Sequence, residues 1–321
     1  MPKTQDAANT SAAKAQPFNF VKLTRETLKI DRRKYHRKSR PTTIARLFSN
    51  LSPNLKRPIF LLGSPRSGTT FLGECLGQIP EISYHFEPAA TKFAANYVFN
   101  GNWSLPRSQR YYRRLYAWLM QQHLDGDLRF AEKTPRNCFL IDFLYKTFPD
   151  AQFVHIIRDG RDAALSHSKK PWMQSASAKG NDDKGYEPGG FRIGPYARFW
   201  VERDRIAEFE STSDVHRCIW AWRRHTESAL NAAKELPQQQ YHELRYEAIA
   251  ANPVQEADRL LDFLGIHHTT SRDCFHNAIS QMRSTSIGQW RQEISEEDLQ
   301  LVYREAKPLL EALGYWQPAA R

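Results

Sequence analysis

The chain has 321 residues, of which 40% are hydrophobic, so it is long enough to bury a substantial core. Its mean hydropathy of −0.65, without long apolar runs or an apolar N-terminal stretch, leads us to expect neither a membrane span nor a secretory signal. The net charge of +11 resides in residues 1–57, which hold 14 basic and 3 acidic residues, whereas the remainder is neutral. The four cysteines show no C-x-x-C spacing, which disfavours structural zinc and a disulfide framework and makes a reducing cytoplasm the expected compartment.

Residues 1–56 are predicted to form a basic, partly flexible arm, followed by a single domain over residues 57–321. The charge is densest in KIDRRKYHRKSR, residues 29–40. Such a run is typical of a solvated tail, and it is also suited to an electrostatic contact with acidic lipid, polysaccharide or nucleic acid, which includes a peripheral contact with a membrane. Because the arm has few aromatic residues and no recognised nucleic-acid motif, we expect no nucleic-acid partner. The oligomeric state is left open.

Short apolar runs alternate with helical patterns along the rest of the chain. Strands are predicted at residues 57–63, 81–88, 128–134 and 151–160, and residues 239–249 are predicted to form a further strand that leads into a short helix. Helices are predicted at residues 68–78, 107–124, 136–147, 196–209 and 214–236, and after Gly160, Pro253 and Ser295. This alternation predicts an α/β fold with a mostly parallel sheet. The insert at residues 169–213 begins with a stretch rich in Gly, Pro and Ser, which is typical of a lid or of disorder.

The stretch FLLGSPRSGTTFLGECL, residues 60–76, resembles a phosphate-binding loop without its lysine. Gly63, four residues, Gly68 and then Thr69 reproduce the G-x-x-x-x-G-K spacing, with Thr in the lysine position. Backbone N–H groups and a helix N-terminus favour an anion here, and Arg66 adds a cation. The loop hydroxyls belong to Ser67, Thr69 and Thr70. Because no apolar strand ends in an Mg²⁺-binding aspartate, the loop is predicted to hold an anion without metal; an ordinary strand–helix turn is the alternative.

A second signal lies in FVHIIRDGRDAALSHSKK, residues 153–170. Arg158 ends a predicted buried strand and Ser166 follows eight residues later on the next helix, so both can meet one phosphate. Lys169 or Lys170 adds charge. The alternative is a structural ion-pair cluster at the helix start. A second phosphate site near the loop indicates a nucleotide phosphorylated at two separate positions.

Together these motifs resemble the sulfotransferases that use 3′-phosphoadenosine-5′-phosphosulfate (PAPS). GSPRSGTTFL is similar to their 5′-phosphosulfate loop, and IIRDGRDAALS is similar to their 3′-phosphate motif. Three further blocks follow in the family's order: AEKTPRN, LRYEAIAANP and SIGQWRQEIS. The resemblance covers roughly residues 57–316. It implies a P-loop NTPase-like three-layer α/β/α fold and metal-free transfer of a sulfonate group from PAPS to an acceptor hydroxyl or amine, with release of adenosine 3′,5′-bisphosphate.

The resemblance also implies catalytic roles. Arg66 is expected at the leaving group, and Lys133 matches a lysine that contacts the transferred group in cytosolic members. Pro135 occupies the place of their histidine base. Glu87 is therefore the candidate base, as in tyrosylprotein and some bacterial or carbohydrate sulfotransferases, and it would need a pKa raised by partial burial to work well near neutrality. His85 is the alternative base. A surface position for Glu87 and an ion pair for Lys133 are the structural alternatives.

The residues implied in donor binding are Arg66, Ser67, Gly68, Thr69, Thr70, Arg158, Ser166, Lys170, Tyr246, Ser286 and Gly288. We expect structural roles for His155, His167 and Glu247. The acceptor is left open among a carbohydrate, a lipid headgroup, a phenolic metabolite and a peptide tyrosine. Residues of the insert that are suited to contact it are Trp172, Tyr186, Tyr196, Arg192 and Arg198. The competing functions are a P-loop kinase and a non-catalytic protein that senses the nucleotide.

Overall fold

A single sheet of five parallel strands organises the chain in this computed structural model, which describes residues 18–170, 173, 195–282 and 284–316. The strands are β1 (Ile59–Leu62), β2 (Ile82–Phe86), β3 (Arg129–Lys133), β4 (Gln152–Ile157) and β5 (Tyr241–Arg245). Their spatial order is β2-β3-β1-β4-β5, and every neighbouring pair is parallel. The predicted α/β fold with a mostly parallel sheet is confirmed. The strand order places β1 at the centre, with β3 and β4 on its two sides.

The helices cover both faces of this sheet. They are α1 (Phe20–Lys34), α2 (Ile44–Leu51), α3 (Thr69–Gln78), α4 (Ala89–Phe99), α5 (Leu105–Gln121), α6 (Ile141–Thr147), α7 (Gly160–Ser168), α8 (Pro195–Phe199), α9 (Ile206–Ser211), α10 (Asp214–Ala233), α11 (Tyr246–Ala251), α12 (Pro253–Leu264), α13 (Thr269–Ile279), α14 (Trp290–Glu293) and α15 (Glu296–Ala312). Among the described residues, none of these helices has both the length and the apolar character needed to cross a bilayer.

The core follows the alternation of side chains along the strands. On β1, Phe60 and Leu62 pack into a cluster that includes Tyr116 of α5, whereas Ile59 and Leu61 join a second cluster with α3 and α12. A third cluster lies between α7, α10 and α15. The sheet is therefore sandwiched between two helical layers, and the carboxyl ends of its strands form one edge where connecting loops converge.

Most of the predicted elements are present, with shifted ends, but the helix predicted at residues 196–209 is wrong. Trp200 adopts a positive φ of 55°, which ends α8 and separates it from α9. The buried indole stacks on the ring of Phe139 at 4.0 Å and contacts the ring of Phe99 at 4.6 Å. Burial of this large side chain outweighs the helical preference of the local sequence. Helices α1, α2, α4, α13 and α14 are absent from the sequence-based prediction.

Helix α1 differs from the expectation of a solvated basic tail. Leu23, Thr27 and Ile30 lie on one face of the helix and are buried, while most of the basic residues of α1 are exposed to solvent. The buried Asp31 carboxylate pairs with Nδ1 of His85 at 2.7 Å and Nε2 of His123 at 2.6 Å. Burial alone would raise the pKa of Asp31, but these two imidazoles outweigh it and lower the pKa to about 2. Residues 20–34 are therefore packed onto the sheet domain.

Candidate active site

The central strand β1 leads into the glycine-bounded loop, and α3 begins directly after it. Gly68 caps α3 with a φ of 92°, and a Cβ atom there would lie 2.7 Å from the Tyr246 ring. A Cβ atom on Gly63 would lie 2.7 Å from the Ile156 carbonyl oxygen. Both glycines are therefore required by the close approach of neighbouring atoms and by their positive φ angles, 148° at Gly63 and 92° at Gly68. The loop is held against β4 and α11.

Arg158 follows β4 directly and reaches the loop from one side. Its Nη1 donates a hydrogen bond to the Arg66 carbonyl oxygen at 3.2 Å, and its Nη2 donates to the Ser286 carbonyl oxygen at 2.5 Å. The guanidinium lies 4.4 Å from the centre of the Tyr246 ring. Its Nε is buried and has no hydrogen-bond partner among the described residues. Because a buried donor without an acceptor is unfavourable, this nitrogen is suited to donate to an anion bound in the site.

Arg66 brings a second guanidinium to the same place. Its backbone is in the left-handed region at a φ of 73°, and its Nε donates a hydrogen bond to the Ser166 hydroxyl at 3.1 Å. Burial, followed by repulsion from Arg158, lowers the pKa of Arg66. Two positive groups in this proximity create a local potential that favours a polyanion.

These groups line one cavity of about 470 Å³. Its walls comprise Arg66, Gly68, Thr69, Thr70, Phe71, Glu74, Arg158, Ser166, Tyr246, Gln281, Met282, Thr285 and Ser286. Most of the residues predicted to bind the donor are therefore brought together. The sequence analysis missed Phe71 and Glu74, which follow the loop on α3, and residues 281, 282 and 285, which immediately precede a recognised block.

Three of the residues predicted to bind the donor do not line this cavity. Ser67 is buried, with its hydroxyl 2.8 Å from that of Ser64. The Gly288 amide donates to the Asp162 carboxylate at 2.6 Å, and Gly288 lines a different cavity of about 650 Å³. Lys170 is half-buried near Arg66, whose repulsion, followed by desolvation, lowers the Lys170 pKa. Ser67 and Gly288 thus hold the backbone in place by their own hydrogen bonds.

On the other side of β1, Lys133 ends β3 and pairs with Glu87. The Lys133 ammonium donates to one carboxylate oxygen of Glu87, and Lys92 donates to the other at 3.1 Å. The Glu87 amide donates to the Lys133 carbonyl oxygen at 2.9 Å, and the residue has a φ of 36°. Burial alone would raise the pKa of Glu87, but Lys133 and Lys92 outweigh it and lower the pKa to about 2. In this arrangement Glu87 therefore lacks the raised pKa that a base working near neutrality would need.

Of the structural alternatives for this region, the ion pair of Lys133 is present, with Glu87 as its partner, whereas Glu87 is half-buried and not at the surface. Glu132 is buried on the opposite face of β3 and accepts hydrogen bonds from other side chains, including the Tyr116 hydroxyl at 2.5 Å, so it is not the partner of Lys133. The candidate base His85 uses both ring nitrogens inside the core, at 2.7 Å from Asp31 and 3.0 Å from the Ser83 hydroxyl. The structure thus brings Glu87, and not His85, to Lys133.

Lys92 is a residue of this site that the sequence analysis missed. It lies in the first turn of α4, which begins just after the Glu87–Pro88 pair. Of the residues expected to be structural, His155 contacts the Tyr241 hydroxyl at 2.6 Å, and Glu247 accepts from the Asp159 amide at 2.9 Å. In the insert, Tyr196 donates to Glu210, whereas residues 172, 186 and 192 lie outside the described residues.

Comparisons with known proteins indicate one family. Residues 58–270 match the model of the family described as "Sulfotransferase family". An uncharacterized protein of Aquifex aeolicus (strain VF5) is 30% identical over 154 residues, which cover 43% of this chain and 20% of the relative. This chain thus spans about a fifth of the length of that curated relative. Sulfotransferase STF9 from Mycobacterium avium shares the fold, with a TM-score of 0.55 and 15% identity over 84% of this chain and 80% of that one.

Replacement of Gly68 by Ala tests the close approach of the loop to Tyr246. We expect Gly68→Ala to lower the free energy of unfolding, measured by urea denaturation, by about 1–3 kcal/mol more than Gly101→Ala does. Gly101 is a matched control, because it has a φ of 68° but a Cβ atom added there would have no neighbour within 4 Å, so it experiences only the backbone strain. Equal losses in the two variants would contradict the tight packing of the loop.

Proposed function

This chain belongs to the sulfotransferase family, and on that premise we propose that it transfers a sulfonate group from PAPS to an acceptor hydroxyl or amine, with release of adenosine 3′,5′-bisphosphate. The observation that carries this proposal is the convergence of Arg66, Arg158 and Ser166 on one cavity beside the glycine loop. The donor is the part of the proposal that these residues support most directly, because it carries anionic groups at both ends of an adenosine.

The residues of the cavity fit such a donor. The unpaired Nε of Arg158 and the Ser166 hydroxyl are suited to the 3′-phosphate, and the amides of residues 68–70 are suited to the 5′ end. When the 3′-phosphate takes the Ser166 hydroxyl, Arg66 is released from it and can turn to the leaving phosphate. We assign positioning roles to Ser67 and Gly288, and a supporting charge to Lys170. Since these cations supply the positive charge, no metal ion is required for donor binding.

In the transfer step, the acceptor oxygen or nitrogen attacks the sulfur, and the bond between sulfur and the bridging oxygen of the 5′-phosphate breaks. The electron pair of that bond goes to the leaving phosphate, where Arg66 stabilises the developing charge. Lys133 is assigned to the sulfonate oxygens, and Glu87 takes the acceptor proton. The carboxylate receives that proton well only if its pKa lies nearer to neutrality than about 2.

The ion pair between Lys133 and Glu87 supplies a way to raise this pKa. A sulfonate group beside Lys133 competes with Glu87 for the ammonium group. The attraction that lowers the Glu87 pKa is then weakened, while the burial that raises it persists. Donor binding would therefore convert Glu87 from an ion-pair partner into a stronger base.

A kinase-like enzyme and a non-catalytic nucleotide sensor are the competing functions. A kinase would need an element that holds Mg-ATP, and it would bind that nucleotide in preference to the bisphosphate. A sensor would bind PAPS without transferring the sulfonate to any acceptor. Variants of Arg158 and Glu87 distinguish a sulfotransferase from the kinase and from the sensor. Arg158 is assigned to donor binding, and Glu87 is assigned to the transfer step.

Replacement of Arg158 by Ala tests donor binding. We expect the affinity for adenosine 3′,5′-bisphosphate, measured by isothermal titration calorimetry without Mg²⁺, to fall about 10- to 150-fold, because one charge-assisted contact is lost. Arg110→Ala, which removes the same charge from the exposed side of α5, is the control and should leave the affinity unchanged. Tighter binding of Mg-ATP than of the bisphosphate by the wild-type chain would favour the kinase.

Replacement of Glu87 by Gln tests catalysis. Incubation with ³⁵S-labelled PAPS and fractions of a host extract identifies the acceptor, and turnover is then measured with it. We expect Glu87→Gln to lower turnover roughly 10²–10⁴-fold through loss of the base, with bisphosphate affinity nearly unchanged. The control is Glu235→Gln, which alters an exposed carboxylate after α10. Full activity of Glu87→Gln would assign the base elsewhere, and donor binding without any labelled product would favour the sensor.

Proton uptake tests the exchange at Lys133. Because donor binding is expected to raise the Glu87 pKa from about 2, the complex should take up protons near pH 4.5, where free Glu87 is ionised. Calorimetry in two buffers of different ionisation enthalpy measures this uptake. The wild-type chain should take up more protons than Glu87→Gln on binding PAPS, but not on binding the bisphosphate, which lacks the sulfonate. Equal uptake by both variants with PAPS would contradict the exchange.

A further inference from the structure

Helix α2 turns its apolar side outward. Ile44, Leu47, Phe48 and Leu51 are 74%, 48%, 68% and 76% exposed, respectively. Their spacing of three and four residues places them in one stripe along the helix. A surface helix normally packs such a stripe against the core, whereas the stripe of α2 faces the solvent.

The polar side of α2 anchors it to the domain. Arg46 donates from Nη2 to the Leu124 carbonyl oxygen at 2.9 Å, and Asn50 exchanges hydrogen bonds with Gln121 at 3.2 and 3.0 Å. A Cβ atom on Gly126 would collide with the Ser49 carbonyl group, so the chain before β3 passes closely beneath the helix. The outward direction of the stripe is therefore fixed by specific contacts on the opposite side.

The surroundings of the stripe are strongly basic. Residues 18–57 contain 12 Lys and Arg residues but only 2 acidic residues. Arg32, Arg33 and Lys34 are exposed at the end of α1. That end of α1 and helix α2 meet at Asp125, which accepts a hydrogen bond from Tyr35 and lies 4.0 Å from Arg46. An apolar stripe within positive charge is complementary to a surface that is apolar inside and anionic at its headgroups.

We propose that α2 docks on an anionic lipid bilayer, with its apolar stripe in the interface and the basic residues around it on the headgroups. A second copy of this chain is the weaker partner, because a two-fold interface would bring the same basic segment of both copies together. The docking does not depend on sulfonate transfer and can be tested separately from it.

Cosedimentation of the full chain with vesicles tests this docking. We expect binding to phosphatidylcholine vesicles that contain phosphatidylglycerol, weakened at least tenfold by high salt and by omission of the anionic lipid. The double variant Leu47→Ser/Phe48→Ser should bind at least tenfold more weakly. Val254→Ser, which removes a 50% exposed apolar side chain from α12, is the matched control and should bind like the wild-type chain.

Two further measurements distinguish the loss of lipid binding from unfolding and from self-association of the chain. Thermal unfolding should be nearly unchanged in the double variant, because both altered side chains are exposed. Light scattering after size exclusion reports a second copy: a wild-type dimer that the double variant loses, without vesicle binding, would overturn the proposal. Equal vesicle binding by the wild-type chain and the double variant would overturn it as well.

Discussion

The proximity of two guanidinium groups at the carboxyl edge of the sheet is the constraint around which this site is built. Arg66 and Arg158 share a cavity, and neither forms an ion pair within the described part of the chain. Their repulsion is tolerated because backbone carbonyls, the Ser166 hydroxyl and the Tyr246 ring hold them. Such an arrangement is unfavourable in the protein alone and would be relieved by a polyanion, which supports the proposed binding of a donor that carries two anionic groups.

The strand order divides the chemistry between the two sides of β1. At the end of β4 and on α7, Arg158 and Ser166 line the cavity beside the glycine loop, whereas the Lys133–Glu87 pair lies at the end of β3. While Lys133 and Glu87 are paired, the carboxylate is a weak base and the charge of the ammonium group is balanced by the carboxylate. A sulfonate group that separates them would make both groups available together, which links the proposed catalytic competence to the presence of the donor.

The sequence was informative where chemistry is local and silent where it depends on packing. The loop could be predicted because an apolar run, two glycines and Arg66 are contiguous, and Arg158 with Ser166 because they lie on one strand end and the helix that follows it. The partnership of Lys92 with Glu87 depends on the direction in which α4 leaves β2, which no spacing specifies. The basic composition around α1 obscured its buried face, and the positive φ of Trp200 reflects tertiary burial of an indole.

The positions of α2 and of the donor cavity have a consequence for the acceptor. Helix α2 rests on residues 121–126, which immediately precede β3, so it lies at the amino edge of the sheet, whereas the cavity lies at the carboxyl edge. Strands of about five residues separate these edges by roughly 16 Å. A bilayer contacted by α2 would therefore lie on the far side of the sheet from Glu87 and Lys133. Under the two proposals together, lipid binding localises the enzyme, and an acceptor approaching from the aqueous side is favoured over a headgroup of the bilayer to which the enzyme is docked.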